Sequence, residues 1–108
     1  GLDADKEHFV VLALNNKNRV IGFKLISTGT LTASLVHPRE VYRAAIFLDA
    51  AAVIFFHNHP SGDPAPSPED MEITKRLKEV GDIMGIRVND HIVLGADRYW
   101  SFSEKGML

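Results

Sequence analysis

The chain has 108 residues, enough for one hydrophobic core and too few for a second catalytic domain. Twelve basic against 14 acidic residues give a formal net charge of -2 and no positive field for phosphate backbones, so tight nonspecific nucleic-acid binding by this chain is disfavoured. The absence of cysteine excludes disulfides, zinc ribbons, thiolate nucleophiles and cysteine-held zinc, and leaves His, Asp, Glu and water to hold any metal.

The polar, abrupt opening Gly1-Leu2-Asp3-Ala4-Asp5-Lys6 reads as a linker or cut boundary over residues 1–6, so a single domain from a longer protein is expected. No apolar run reaches membrane-spanning length and no charged-then-apolar leader opens the chain, so the expected location is the cytoplasm, with no membrane partner. Phe9 to Leu14 is β-prone and ends in Asn15-Asn16-Lys17-Asn18, a cluster of turn formers, after which Val20 to Ile26 reads as the returning strand of a hairpin. The near-continuous apolar character of the first strand predicts burial on both faces, as in a central strand. A turn is expected at Thr28-Gly29-Thr30, and Leu31 to Val36 fits no single element type.

His37-Pro38 opens a helix to about Asp49, with Pro at the first helical position, Glu40 in the first turn, and Val41, Ala44, Ala45 and Leu48 on one stripe. Ala51 to Phe56 is a short apolar strand that delivers His57 to a loop rich in Pro, Gly and Ser. A second helix from about Pro68 to Met84 carries Ile73, Leu77, Val80 and Met84 on one face. Gly81 lowers its propensity and Gly85 suits its cap. Ile86 to Leu94 and Tyr99 to Phe102 read as final strands. The order β-β-α-β-α-β-β predicts an α/β fold, a mixed β-sheet flanked by helices.

The chemistry concentrates between His57 and Asp70. Residues two apart in an extended segment share a face, so His57 and His59 can aim both imidazoles at one point while Asn58 faces away. Ser67-Pro68-Glu69-Asp70 has the form of a helix start and of a capping box, and a helical Cβ tilts toward the N-terminus, which leans Asp70 back over Ser67. Capping and metal ligation are compatible at this position. Two neutral imidazoles and one carboxylate leave a four-coordinate Zn²⁺ one open position for water, the mark of a catalytic rather than a structural site. Water activated there needs a base off the metal. Glu7, at the mouth of the first strand, and Glu40, in the first helix, are the two candidates, and Glu7 is preferred because a neighbouring strand end can overhang the metal. Ser67 is the candidate donor to the growing oxyanion.

The run His57-x-His59, seven residues, Ser67-x-x-Asp70 resembles the JAMM motif of MPN-domain metallopeptidases. More narrowly, His37-Pro38-Arg39-Glu40-Val41, the string from His57 through Asp63-Pro64 and Pro66-Ser67 to Asp70, and Asp90-His91 resemble the RadC-like family of bacterial proteins over nearly the whole chain. The resemblance implies a fold similar to cytidine deaminases, one zinc ion with a bound water held by His57, His59 and Asp70, assistance from Ser67, and a glutamate base that best matches Glu7. It implies a peptide or protein substrate, and nucleic acid only through an N-terminal helix-hairpin-helix region that longer members carry.

Other notable residues have plainer expected roles. His91 reads as a hydrogen-bonding residue of the sheet or as one that orients a ligand, and His8 and His37 as solvated or capping residues. Asp63 reads as a turn former, Lys75, Arg76 and Lys78 as a solvated helix face, and Trp100 as packing or interface. Hydrolysis of a peptide or isopeptide bond is the leading functional expectation. The competing ones are a DNA-repair accessory or nuclease domain, suggested by the literal His-Asn-His and the family's traditional label, and a non-catalytic interaction module stabilised by zinc.

Overall fold

The computed structural model describes residues 5–29 and 36–108. It contains β1 (Glu7–Leu14), β2 (Val20–Gly29), α1 (Pro38–Phe47), β3 (Ala52–Asn58), α2 (Pro68–Met84), β4 (Arg87–Leu94) and β5 (Tyr99–Ser101), the element order expected from the sequence. One five-stranded mixed sheet runs in the order β2-β1-β3-β4-β5. Strand β1 is antiparallel to both β2 and β3, β3 and β4 are parallel, and β5 returns antiparallel to β4.

Strand β1 lies inside the sheet, between β2 and β3, as its apolar run predicts, but burial is complete on one face only: Phe9, Val11 and Ala13 are fully buried, while Val10 and Leu12 between them are half-buried. The turn before β2 is closed by Asn15, whose Oδ1 accepts from the backbone N–H groups of Lys17 and Arg19, while Asn18 takes the left-handed conformation at φ 58°. Strand β2 runs farther than its composition predicts. Thr28 and Gly29 belong to the strand because β1 begins at Glu7, which pairs Glu7 with Gly29 and His8 with Thr28. Of the segment from Leu31 to Val36, residues 31–35 lie outside the described residues, and Val36 is buried in the core. Helix α1 stops at Phe47 rather than near Asp49, since Asp49 turns to φ 57° and breaks the helical path.

Both helices feed one core, in which Val41, Tyr42 and Ala45 of α1 and Ile73 and Leu77 of α2 meet Phe9, Val11, Val53 and Phe55 of the sheet. The Tyr42 hydroxyl donates to the Leu77 carbonyl and joins the helices. Gly81 explains itself here: a Cβ would lie 2.6 Å from the Tyr42 hydroxyl and 2.7 Å from the Ile86 carbonyl, so low helix propensity is accepted for close approach. Burial, reinforced by the negative charge of Asp82 and only partly opposed by a backbone hydrogen bond from Gly81, pushes the Tyr42 phenol well above its ordinary 10.0. Above that pH the unfolded chain loses the phenolic proton and the folded chain keeps it, so stability falls with rising pH. We expect urea unfolding above about pH 10 to show an alkaline loss approaching about 1.4 kcal/mol per pH unit from this group. Tyr42→Phe should remove that component, at a cost of about 1 kcal/mol at neutral pH for the lost hydrogen bond. An unchanged alkaline slope in the variant would contradict the assignment.

The topology fixes where chemistry can sit. The β3–α2–β4 crossover sets the first turn of α2 beside the C-terminal end of β3, the position at which open α/β sheets bind ligands. Because β1 is antiparallel to β3, with Phe9 opposite His57, the start of β1 reaches the same edge. The connecting loop is tied down by His59 N–H to the Leu94 carbonyl at 2.9 Å and Ala96 N–H to the Gly62 carbonyl at 3.0 Å. Gly95 permits this contact, since a Cβ there would stand 2.4 Å from the Gly62 oxygen. Among the described residues no helix is long and apolar enough to cross a membrane.

Candidate metal centre

His57 ends the buried face of β3, and His59 follows at the start of the loop. Their Nε2 atoms lie 3.1 Å apart. Asp70, in the first turn of α2, faces both: Oδ1 is 3.1 Å from His57 Nε2 and Oδ2 is 3.0 Å from His59 Nε2. The three residues offer donor atoms that all fall within 4.8 Å of one another, the arrangement expected from their spacing.

The capping box is present as well. Ser67 Oγ accepts from the Asp70 N–H at 3.0 Å, and Asp70 Oδ2 accepts from the Ser67 N–H at 2.8 Å. One carboxylate therefore closes the helix start and turns to the histidines. Burial opposes its ionisation, but the hydrogen bond and charge of His57, the Ser67 amide and the charge of His59 outweigh burial and hold the Asp70 carboxyl well below the usual carboxylate range.

The loop sets the second histidine. His59 Nδ1 lies 2.9 Å from the Asp63 carbonyl, which can only accept, so Nδ1 carries a hydrogen and Nε2 is the nitrogen left to offer a lone pair to a metal in the cluster. Asp63 is a turn former as expected, its Oδ1 accepting from the Ala65 N–H at 3.0 Å, and its backbone also orients His59. Imidazole lone pairs and a carboxylate that converge at these distances repel one another unless a cation or a proton lies among them. A nitrogen and oxygen donor set of this size, without thiolate, suits zinc.

The two candidate bases are separated. Glu7 lines an open cleft of about 370 Å³ together with His59, Ser61, Asp63, Ser67 and Glu69. Glu40 lines a different cavity, between β2 and α1, beside Phe23, Leu25, Arg43 and Phe47. Asn58 faces away from the cluster as the strand period requires, yet it is not idle. Its Oδ1 accepts from the His8 N–H and its Nδ2 donates to the Lys6 carbonyl, both at 2.8 Å, so it grips the backbone on either side of Glu7. The middle residue of His-Asn-His carries no sequence signal for this role, because its partners lie 50 and 52 residues away.

Behind the cluster stand two further groups. His57 Nδ1 lies 2.7 Å from His91 Nε2, and His91 Nδ1 contacts the hydroxyl of Thr74, which lies 2.7 Å from the Asp70 carbonyl. His91 is fully buried, and that burial, with the nearby charge of His57, drives its pKa well below the ordinary imidazole value. Its backbone is held by Asp90, whose Oδ1 accepts from the His91 and Ser103 N–H groups. Thr74 was the residue sequence reasoning missed. The available signal was its place four residues after Asp70, on the same helix face.

His8 departs from expectation, being buried with Nδ1 at 3.1 Å from Thr28 Oγ1 rather than solvated, because β2 extends to Gly29 and covers it. His37 is exposed and precedes α1 without a side-chain capping bond. Lys78 lies on the polar face of α2 with a 3.3 Å ion pair to Asp82, and the Lys105 ammonium sits 5.0 Å over the Trp100 ring.

Residues 2–107 match the family model of the RadC-like JAB domain. The chain is 57% identical over 106 residues to a UPF0758 protein of Geobacter sulfurreducens, an alignment covering 98% of this chain and 46% of that protein. It is likewise 57% identical to the UPF0758 protein of Pelobacter propionicus, over 98% of this chain and 46% of the relative. A UPF0758 protein of Caldanaerobacter subterraneus is 56% identical over 94% of this chain and 43% of its own length. The chain thus spans less than half the length of these curated relatives.

Proposed function

The chain belongs to the RadC-like JAB-domain family, and from that membership and the donor cluster at the end of β3 we propose that it is a zinc-dependent hydrolase of the JAMM type, acting on a peptide or isopeptide bond. The observation that carries this reading is the convergence of His57 Nε2, His59 Nε2 and the Asp70 carboxylate, at 3.0 to 3.1 Å, beside a cleft that also holds Glu7 and Ser67.

His57, His59 and Asp70 would hold the ion, and three protein donors leave a position open to solvent. A zinc ion supplies a Lewis acid that polarises a carbonyl and brings the pKa of coordinated water toward about 7. Glu7 takes the proton of the attacking water as the new C–O bond forms, then returns it to the departing amine nitrogen as the C–N bond breaks. Ser67 Oγ accepts from the Asp70 amide, so its own proton is kept for the carbonyl oxygen as negative charge builds there. Asn58 keeps the Glu7 backbone in register with the cleft by its two bonds to Lys6 and His8.

Purified protein should bind one equivalent of zinc and cleave members of an internally quenched library of peptides and isopeptide-linked peptides. Cleavage should stop on chelation, return with added zinc and be absent in His59→Ala. Binding of metal falls as the solution is acidified, since an imidazolium must release its Nε2 proton to solvent before that nitrogen can take the ion. Cleavage that survives both chelation and His59→Ala would overturn the proposal.

A further inference from the structure

His57 can offer Nε2 to a metal only if its ring proton sits on Nδ1, and Nδ1 points away from the cleft into the core. The hydrogen bonds behind it can be followed inward to a group whose role is unambiguous. The Asp70 backbone carbonyl only accepts, so the Thr74 hydroxyl, 2.7 Å away, spends its single proton there. Thr74 Oγ1 is then the acceptor toward His91, and His91 Nδ1 must carry a hydrogen. The His91 ring is fully buried, stacked on Phe102 at 4.9 Å and 9° and edge-on to Phe9 and Phe55. Loss of hydration among these rings keeps it neutral with one proton, which leaves Nε2 a bare lone pair. That lone pair lies 2.7 Å from His57 Nδ1, which therefore donates.

We infer that His91 and Thr74 form a buried tautomer lock: they hold the His57 proton on Nδ1 and so aim its Nε2 lone pair at the site shared with His59 and Asp70. His91 and Thr74 are positioning residues, since neither reaches the cleft. The lock begins on the backbone of one candidate ligand, Asp70, and ends on the ring of another, His57. It thereby couples the first turn of α2 to the end of β3. His59 has its tautomer set differently, by a loop carbonyl near the surface. Metal-binding histidines commonly donate their second N–H to a carboxylate or carbonyl that fixes the ring, and here a neutral imidazole does so without adding charge. The inference rests on the metal site proposed above, and its test separates the two.

The first measurement needs neither variant nor metal. Long-range ¹H–¹⁵N spectra of imidazole nitrogens in the zinc-free protein should show a proton on His57 Nδ1 and on His91 Nδ1 with a bare His91 Nε2, whatever proton takes the place of the metal among His57 Nε2, His59 Nε2 and Asp70. A His57 Nδ1 without a proton overturns the lock. Zinc affinity is then read by competition with a chromogenic chelator. His91→Leu, which fills the space but accepts nothing, should weaken zinc binding by about 10- to 100-fold. His91→Gln should stay close to the wild type, because its amide oxygen can accept from His57 while its NH₂ group donates to Thr74. Thr74→Val should weaken binding and Thr74→Ser should not. Wild-type affinity in folded His91→Leu, or a loss in His91→Gln as large as in His91→Leu, overturns the proposal. If the wild type binds no zinc, the metal reading fails, and the ¹⁵N spectrum still decides the lock.

Discussion

Glu7→Gln is expected to leave one zinc bound and to lower turnover by about 10²- to 10⁴-fold, the usual contribution of a positioned general base. The substitution preserves shape and removes only the ability to take a proton. Metal should stay because Glu7 is not among the clustered donors, which are His57, His59 and Asp70. Glu40→Gln serves as the control, since Glu40 lines the separate cavity beside Phe23, Arg43 and Phe47. Steady-state kinetics on a peptide found by the library, together with zinc stoichiometry, decide the matter. Full activity in Glu7→Gln with loss in Glu40→Gln would reverse the assignment of the base.

Asp70→Asn should have the largest effect on the metal. Loss of a residue that only orients a ligand costs about 10- to 100-fold in affinity, so loss of a direct anionic donor should exceed about 100-fold. The amide would turn an NH₂ group toward one of two nitrogens that now face carboxylate oxygens at 3.0 and 3.1 Å. Stability should fall too, by about 1 kcal/mol, because a neutral amide oxygen in place of Asp70 Oδ2 accepts the Ser67 N–H more weakly and removes negative charge from the helix start. The acid branch supplies a second readout. A carboxylate held below its ordinary pKa contributes stability that is complete above about pH 4 and lost only as the pH falls through the lower folded value, so the Asn variant should lack that component. Zinc titration and acid unfolding measure the two effects separately, and a variant that still binds zinc like the wild type would remove Asp70 from the ligand set.

The two predictions draw on different kinds of information. Asp70, His57 and His59 lie within fourteen residues, on a strand end, a loop and a helix start whose local geometry follows from short-range rules. The periods of strand and helix suffice to point all three inward. Helix α2 was equally legible, with Ser67 and Pro68 opening it and Gly85 at φ 73° ending it. Glu7 is different, because its place beside the cleft depends on β1 pairing antiparallel with β3 in the register that sets Phe9 opposite His57. The apolar run of β1 foretold burial, and only pairing decided which end met the histidines.

Local rules failed where partners were distant. Thr28 and Gly29 have turn chemistry, but paired with the start of β1 they continue the strand and bury His8. Asn58 and His91 carry no local pattern that separates a positioning residue from a packing one, and Thr74 shows only its spacing of four from Asp70, since the contact that gives each its role comes from atoms elsewhere in the chain. By itself the sequence determined the order of the elements, the central strand, the capped helix and the donor cluster, because each rests on side-chain periodicity or on chemistry within a few residues. Only the tertiary structure decided which glutamate faces the cleft, what grips its backbone and what lies behind His57. Those are matters of strand register and buried hydrogen bonding between residues far apart in the chain, and folding has to bring them together before the chemistry of any one of them has a direction.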